Sequence, residues 1–206
     1  MVITLGNIVF GGKGNGGGKP AAYVVPNGMS FAKCSLTEFP SDDFDFSQKT
    51  DFSNCWYGCS NLTEFPLLDT SRVTSFWFAW WGCSSLTSFP QLDLSSGTNF
   101  GYTWASCTGL TELPALDLSN GTSFWYTWDR CKALTTLGGF GAIKESFDLS
   151  SSANLTVESI MNVITQAADL NSLGITGKTM TFGSANLAKL TDEQKAVATN
   201  KGWTLA

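Results

Sequence analysis

The chain reads as an α/β solenoid of 24-residue repeats spanning residues 29–150, with an extended arm before it (1–28) and a small α/β cap after it (151–206). Three features carry that reading. Aromatic, cysteine, leucine and proline positions recur with one fixed period. The hydrophobic spacing inside each period switches from helical to extended. The composition changes on both sides of the repeated stretch.

The arm opens with two short apolar runs, residues 2–5 and 8–10, each suited to a strand, followed by GGKGNGGGKP. A phosphate-binding loop needs G-x4-G-K-[ST]. Lys13 stands where its first glycine should be and Pro20 follows Lys19, so that reading fails. A glycine-rich stretch of this kind is a flexible linker or a hinge. An apolar strand ahead of a hinge suits docking into a larger assembly, so residues 1–28 are expected to anchor the chain on other proteins. The largely apolar stretch of ten N-terminal residues lacks a basic flank and is too short to span a bilayer, so neither a secretion signal nor membrane insertion is expected.

The repeat itself is read by sliding the chain by 24 residues. Phe52, Phe76, Phe100 and Phe124 then align, as do Trp56, Trp80, Trp104 and Trp128. Cys59, Cys83, Cys107 and Cys131 form a third column, and Leu62, Leu86, Leu110 and Leu134 a fourth. Pro66, Pro90 and Pro114 keep the step, each followed by Asp69, Asp93 or Asp117. The first unit (Leu36, Phe39, Pro40) lies 26 residues ahead of its successor, and Gly138 replaces the proline where the pattern decays. Within a unit, Phe100, Trp104 and Cys107 stand at i, i+4 and i+7, which predicts one face of a short helix. Residues 110–113 read as a short strand ended by Pro114, which cannot donate to a ladder. The following Asp-Leu-Ser-x-Gly-Thr reads as a turn with Thr or Asn capping the next helix. Strand, turn and helix at this period define a leucine-rich repeat array of about four and a half units, none of which can bury its apolar face alone.

In the cap, Thr156 is placed to N-cap a helix bearing Val157, Ile160, Ile164 and Ala167 on one face. Residues 178–182 alternate as a strand. Thr191 and Gln194 form a capping box for a second helix, which Gly202 ends before Trp203. Arrays of this kind need an end cover over the last repeat.

Composition excludes several chemistries. The net charge is −5, against the basic stripe that nucleic-acid binding requires. The chain has no histidine, so imidazole acid–base or metal chemistry is out. Without histidine, the abundant serines have no evident base for nucleophilic catalysis. Glu38, Glu64 and Glu112 share one repeat position, the pattern of a solvated strand face rather than of a paired acid and base. The chain is expected to be a non-enzyme without cofactor. Cysteines of one column should be buried apolar fillers whose parallel side chains do not converge on a bridge, and no CxxC suggests zinc. Cys55, off the column, stands apart. Asp69, Asp93 and Asp117 either bond turn amides or, stacked, bind calcium; no metal site is assigned.

The variable columns are the candidate binding residues. One, two and five residues after each inward Phe come Trp77 and Trp125, then Phe78, Tyr102 and Tyr126, then Tyr57 and Trp81. None lies on the buried stripe, so these aromatics should be partly exposed. Surface rings of this kind pack convex faces, join sister chains or contact receptors and sugars. The strand face (Thr63, Glu64, Thr87, Ser88, Thr111, Glu112 and Thr135) is small and polar, a second candidate for reading carbohydrate.

The run C-x-x-L-T-x-F-P-x-L-D, with F-x-x-x-W ahead of the cysteine, resembles bacterial surface leucine-rich repeats of the BspA type and the related repeats of bacteriophage adhesins. The resemblance covers about residues 30–150. Trp stands where the bacterial repeats usually carry Ala-Phe or Met-Phe, and the tail NLAKLTDEQKAVATNKGWTLA is similar to the closing segment of such proteins. The resemblance implies a recognition module on the virion surface, in a tail or head fibre, binding a host-surface glycan or protein. The alternatives are a structural head fibre or capsid decoration protein and a bacterial cell-surface adhesin. Partners would be other virion proteins through residues 1–28, the host surface, and a homo-oligomer, for which a trimer is the guess.

Overall fold

A computed structural model describes residues 3–5, 8–10 and 21–206. In the arm, β1 (Ile3–Leu5) pairs antiparallel with β2 (Ile8–Phe10), with Ile3 opposite Phe10. The glycine-rich run at 11–20, on which the expected docking hinge falls, lies outside the described residues. Residues 21–28 were expected in the arm, yet they are the first turn of the stack. There β3 (Tyr23–Val24) pairs in parallel with β4 (Phe44–Asp45), which follows a 3₁₀ turn at Ser41–Asp43. Val25 is buried and its amide donates to the Asp45 carbonyl. The buried Lys49 secures this turn by donating its ammonium to the carbonyls of Pro26, Asn27 and Met29 at 2.8–3.0 Å. Desolvation holds the pKa of Lys49 below the usual lysine value.

The repeats stack as the period requires, but the helix expected over Phe-x-x-x-Trp-x-x-Cys does not form. Residues 52–59 instead make overlapping turns. The amides of Cys55, Tyr57 and Cys59 return to the carbonyls of Phe52, Asn54 and Trp56, three residues back. The intervening amides of Phe52, Asn54, Trp56 and Gly58 donate to Ser75, Trp77, Ala79 and Trp81 in the next unit. Residues 76–83 and 100–107 repeat the pattern. An α-helix would satisfy its amides internally; here alternate amides are spent between units, so neighbours are joined by backbone as well as by side chains. The geometry requires a left-handed residue at two places in each unit. Asn54, Phe78, Tyr102 and Tyr126 have φ of 52–57°, and Gly58, Gly82, Ser106 and Arg130 have φ of 60–72°. Helix and turn chain both point positions i, i+4 and i+7 inward, which is why the spacing alone did not separate them.

The inward residues form continuous columns. Phe31, Trp56, Trp80, Trp104, Trp128 and Phe140 stack in sequence at centroid spacings of 5.9, 5.7, 6.0, 6.1 and 4.6 Å, with planes within 13°. A phenyl ring thus closes the tryptophan column at each end. Phe76, Phe100 and Phe124 form a second column at 5.3 and 5.4 Å. Phe65 stacks on Phe89 at 5.7 Å and stands edge-on to Trp56 and Trp80 at 4.7 and 5.1 Å. The Nε1 groups of Trp56, Trp80, Trp104 and Trp128 have no hydrogen-bond acceptor among the described residues.

Outside the turns, threonine hydroxyls reinforce the stack. Thr74, Thr98 and Thr122 donate to the carbonyls of Thr50, Thr74 and Thr98 one unit back. Regular strand is brief: β5 (Glu112–Leu113) pairs in parallel with β6 (Thr136–Leu137). Gly138, where the proline column stops, has no room for a side chain, since a Cβ there would lie 2.2 Å from the Ala115 amide nitrogen.

The remaining elements are β7 (Phe147–Asp148), α1 (Val157–Gln166), α2 (Leu170–Leu173), β8 (Thr179–Thr181), α3 (Ser184–Leu187), α4 (Asp192–Asn200) and β9 (Thr204–Leu205). Strand β8 lies between β7 and β9, parallel to both, so this sheet grows directly on the last repeat-like strand. The Thr156 side chain caps α1, and Thr191 with Gln194 forms the capping box of α4. Helix α1 takes the place of a next repeat beside β6. Ser159 Oγ accepts from the Leu137 amide and Asn162 Nδ2 donates to the Leu137 carbonyl, both at 3.0 Å. The ammonium of Lys201 ends α1 by donating to the carbonyls of Ile164, Thr165 and Ala167, where a cation is favoured by the helix dipole.

Candidate functional site

The turn chain determines which aromatics face outward. Aromatic residues one, two and five after the inward Phe lie toward one surface, and there the rings of successive units meet. Phe78 stacks on Tyr102 at 4.4 Å, and Tyr102 on Tyr126 at 5.0 Å. Tyr57 stacks on Trp81 at 4.6 Å, and Trp77 stands edge-on to Phe78 at 4.8 Å. Tyr57 also approaches Phe78 at 6.0 Å, linking the two rows. Six of the seven predicted aromatics therefore form one patch, and Trp125 has no ring contact among the described residues. Trp77 lies across Gly101, where a Cβ would come within 3.1 Å of the indole. That explains its 44 % exposure against 74 % for Trp125, which lies over no such glycine.

Phe78, Tyr102 and Tyr126 occupy left-handed backbone that costs a non-glycine residue roughly 1–2 kcal/mol. Asn54, the residue type that tolerates this conformation, holds the same place in the preceding unit. Each stacked pair contributes about 0.5–1.5 kcal/mol, so the ladder offsets the strain at its middle member. At Tyr126, the last member, only one face is covered by a ring. Stacking covers both faces of Tyr102, whereas the second face of Tyr126 borders a recess.

The strand face is less available than its composition suggests. Thr63, Thr111 and Thr135 spend their hydroxyl protons on the carbonyls of Thr37, Thr87 and Thr111. Thr87, Glu64 and Glu112 are exposed and Ser88 is half-buried. Glu64 bridges to Glu38, and Glu112 pairs with Thr136. An open recess of about 410 Å³ lies between Glu112 and Thr136 on one side and Glu158 and Asn162 of α1 on the other.

The aspartates are turn-formers. Asp69, Asp93 and Asp117 each accept from the amide two residues on, at Ser71, Ser95 and Ser119. The Ser95 hydroxyl, then its amide, hold the Asp93 pKa below the usual carboxylate value. Among the described residues no three His, Cys, Asp or Glu side chains converge as metal ligands.

The cysteine column departs from expectation at its head. Cys34 and Cys59, with Cα atoms 4.8 Å apart, form a disulfide. Cys34 heads the column and its half-buried side chain turns toward Cys59. Further along, each thiol is aimed at a carbonyl: Cys83, Cys107 and Cys131 donate to Trp56, Trp80 and Trp104 at 3.1–3.3 Å. Burial pushes the Cys55, Cys83 and Cys131 thiols up to about 12 and the Cys107 thiol well above its usual value. Cys55 is as buried as the rest and is no reactive exception.

One cluster escaped the sequence reading. Where the ladder stops at Tyr126, a small recess of about 100 Å³ is lined by that ring with Asp129, Asp148, Ser150 and Ser151. Its sequence signal was Asp129, which replaces the outward Tyr57 and Trp81 of earlier units.

No helix among the described residues is long and apolar enough to cross a membrane. Comparison with family models, curated proteins and solved structures finds no match to the chain.

Proposed function

We propose that this chain is a non-enzymatic recognition module, a short solenoid of the leucine-rich repeat kind, displayed on the surface of a bacteriophage virion. Its turn face contacts a host-surface glycan or protein. The observation that carries the reading is the outward aromatic ladder, in which Phe78, Tyr102 and Tyr126 accept left-handed backbone. Strained residues persist where the surrounding structure maintains them, and they concentrate at functional surfaces. Large rigid rings supply contact area at little entropic cost. The virion setting rests on the resemblance of the repeat to bacteriophage adhesins.

A structural head-fibre or decoration role is the second reading. It is favoured by the edge-on presentation of most rings, which makes a ridge that a sister chain can cover.

The test is binding of the labelled chain to intact candidate host cells, beside a variant with Trp77, Phe78, Tyr102, Trp125 and Tyr126 changed to Ser. Saturable binding that is lost in a folded variant supports the recognition module. Absence of binding by either protein, with the variant falling from oligomer to monomer, supports the architectural reading instead.

A further inference from the structure

We infer that the recess at the end of the aromatic ladder is a binding site for one neutral pyranose unit, stacked on the free face of Tyr126. The inference rests on the recognition reading and gives it a ligand class and a place.

Three properties of the recess converge. The first is the platform. Tyr102 covers one face of Tyr126 at 5.0 Å, and the repeat that would cover the other has Ser150 at the corresponding position. The ring is 55 % exposed and wedged in position by its neighbour. The C–H-rich face of a pyranose packs on a flat aromatic of this kind, whereas the edges displayed by the rest of the ladder offer no such plane.

The second property is the polar wall. Asp148 is anchored by one oxygen, which accepts from the Ser150 amide at 2.7 Å, while the other oxygen has no hydrogen-bond partner among the described residues. Ser151 Oγ donates to Asp129 Oδ1 at 3.4 Å, and Arg130 Nε lies 3.6 Å from Asp129 Oδ2. Two oriented carboxylates and the hydroxyls of Ser150, Ser151 and Tyr126 therefore surround one apolar plane. Carboxylates accept hydrogen bonds from vicinal hydroxyls, and serine and tyrosine hydroxyls can donate or accept.

Charge and size complete the match. Two carboxylates in so small a space disfavour an anionic sugar, and among the residues lining the recess none is cationic. About 100 Å³ takes part of a single ring and leaves the remainder of a glycan outside the recess. A flat hydroxylated ring has the shape and donor pattern that this wall and platform accept.

The experiment is a titration of the ¹⁵N-labelled chain with methyl glycosides of glucose, galactose, mannose and N-acetylglucosamine, with the methyl glycoside of N-acetylneuraminic acid as the anionic comparison. At least one neutral glycoside should bind saturably and shift the amides of Tyr126, Asp129 and Ser150. Tyr126→Ala should weaken that affinity at least tenfold and Asp148→Ala comparably, with Leu67→Ser, an exposed position outside the aromatic patch, leaving it unchanged. Asp148→Asn, which keeps the oxygen that anchors the turn, guards against a folding defect and should still weaken binding. Failure of every neutral glycoside to saturate, stronger binding of the anionic one, or affinity that survives Tyr126→Ala overturns the site. The cell-binding assay on the same Tyr126→Ala protein separates the two levels. Cell binding by the unaltered chain without binding of any glycoside removes this site and leaves the recognition module standing. Loss of cell binding by no aromatic variant removes the module itself.

Discussion

Phe78 and Tyr102 lie face to face across two repeats, 4.4 Å apart with planes within 4°, and both occupy left-handed backbone. The backbone strain of each is countered by the ring of the other. At this position, therefore, stacking and conformation are coupled and can be separated by substitution.

Tyr102→Ala removes both stacks and keeps the strain, whereas Tyr102→Gly removes the stacks and relieves the strain. The glycine variant should be the more stable of the two by about 1 kcal/mol. Urea unfolding midpoints measure the difference, and an alanine variant as stable as the glycine one contradicts the coupling.

Stacked tryptophans carry the core. Trp104 is fully buried, 6.0 Å from Trp80 and 6.1 Å from Trp128. Trp104→Ala should cost about 3–5 kcal/mol through the cavity it leaves. Trp104→Phe should cost less than about 2 kcal/mol, because phenyl rings already close the column at Phe31 and Phe140. Denaturant titration of both variants checks the order.

Thiol chemistry distinguishes the head of the cysteine column from its body. In denaturant without reductant, four thiols (Cys55, Cys83, Cys107 and Cys131) should react with a chromogenic disulfide reagent. After reduction, Cys34 and Cys59 should bring the total to six. The native chain should react slowly, since burial suppresses the thiolate. Six reactive thiols before reduction would remove the bridge.

The same thiols set an alkaline limit. Their folded pKa values are raised, three of them to about 12, whereas the unfolded chain ionises near about 8.5. Above that pH the folded state holds more protons than the unfolded one, so the stability contribution is complete below about pH 8.5 and is lost as pH climbs toward about 12. Cys131→Ala should flatten the decline between about pH 9 and 11 by up to about 1.4 kcal/mol per pH unit. Lys49 acts in the opposite direction, because its pKa is lowered. Thermal melts of both proteins across this range give the slopes, and equal slopes refute the assignment.

The chain alone determined the period, the inward columns of Phe, Trp, Cys and Leu, the Thr156 cap and the Thr191–Gln194 capping box of the C-terminal helices, and the outward aromatics, because these depend on residue type and spacing. Asp93 was legible as a turn residue for the same reason: it bonds a serine two positions away. Only the tertiary structure decided how the backbone between Phe100 and Cys107 runs, since its alternate amides bond to residues 23 positions further along. A local pattern of spacing cannot see partners that distant, and helix and turn chain bury the same residues. The Cys34–Cys59 bridge and the recess beside Tyr126 were beyond the sequence for a related reason. Both arise where the repetition stops, and what a terminal unit does with its unmatched surface depends on the segment that folds back over it.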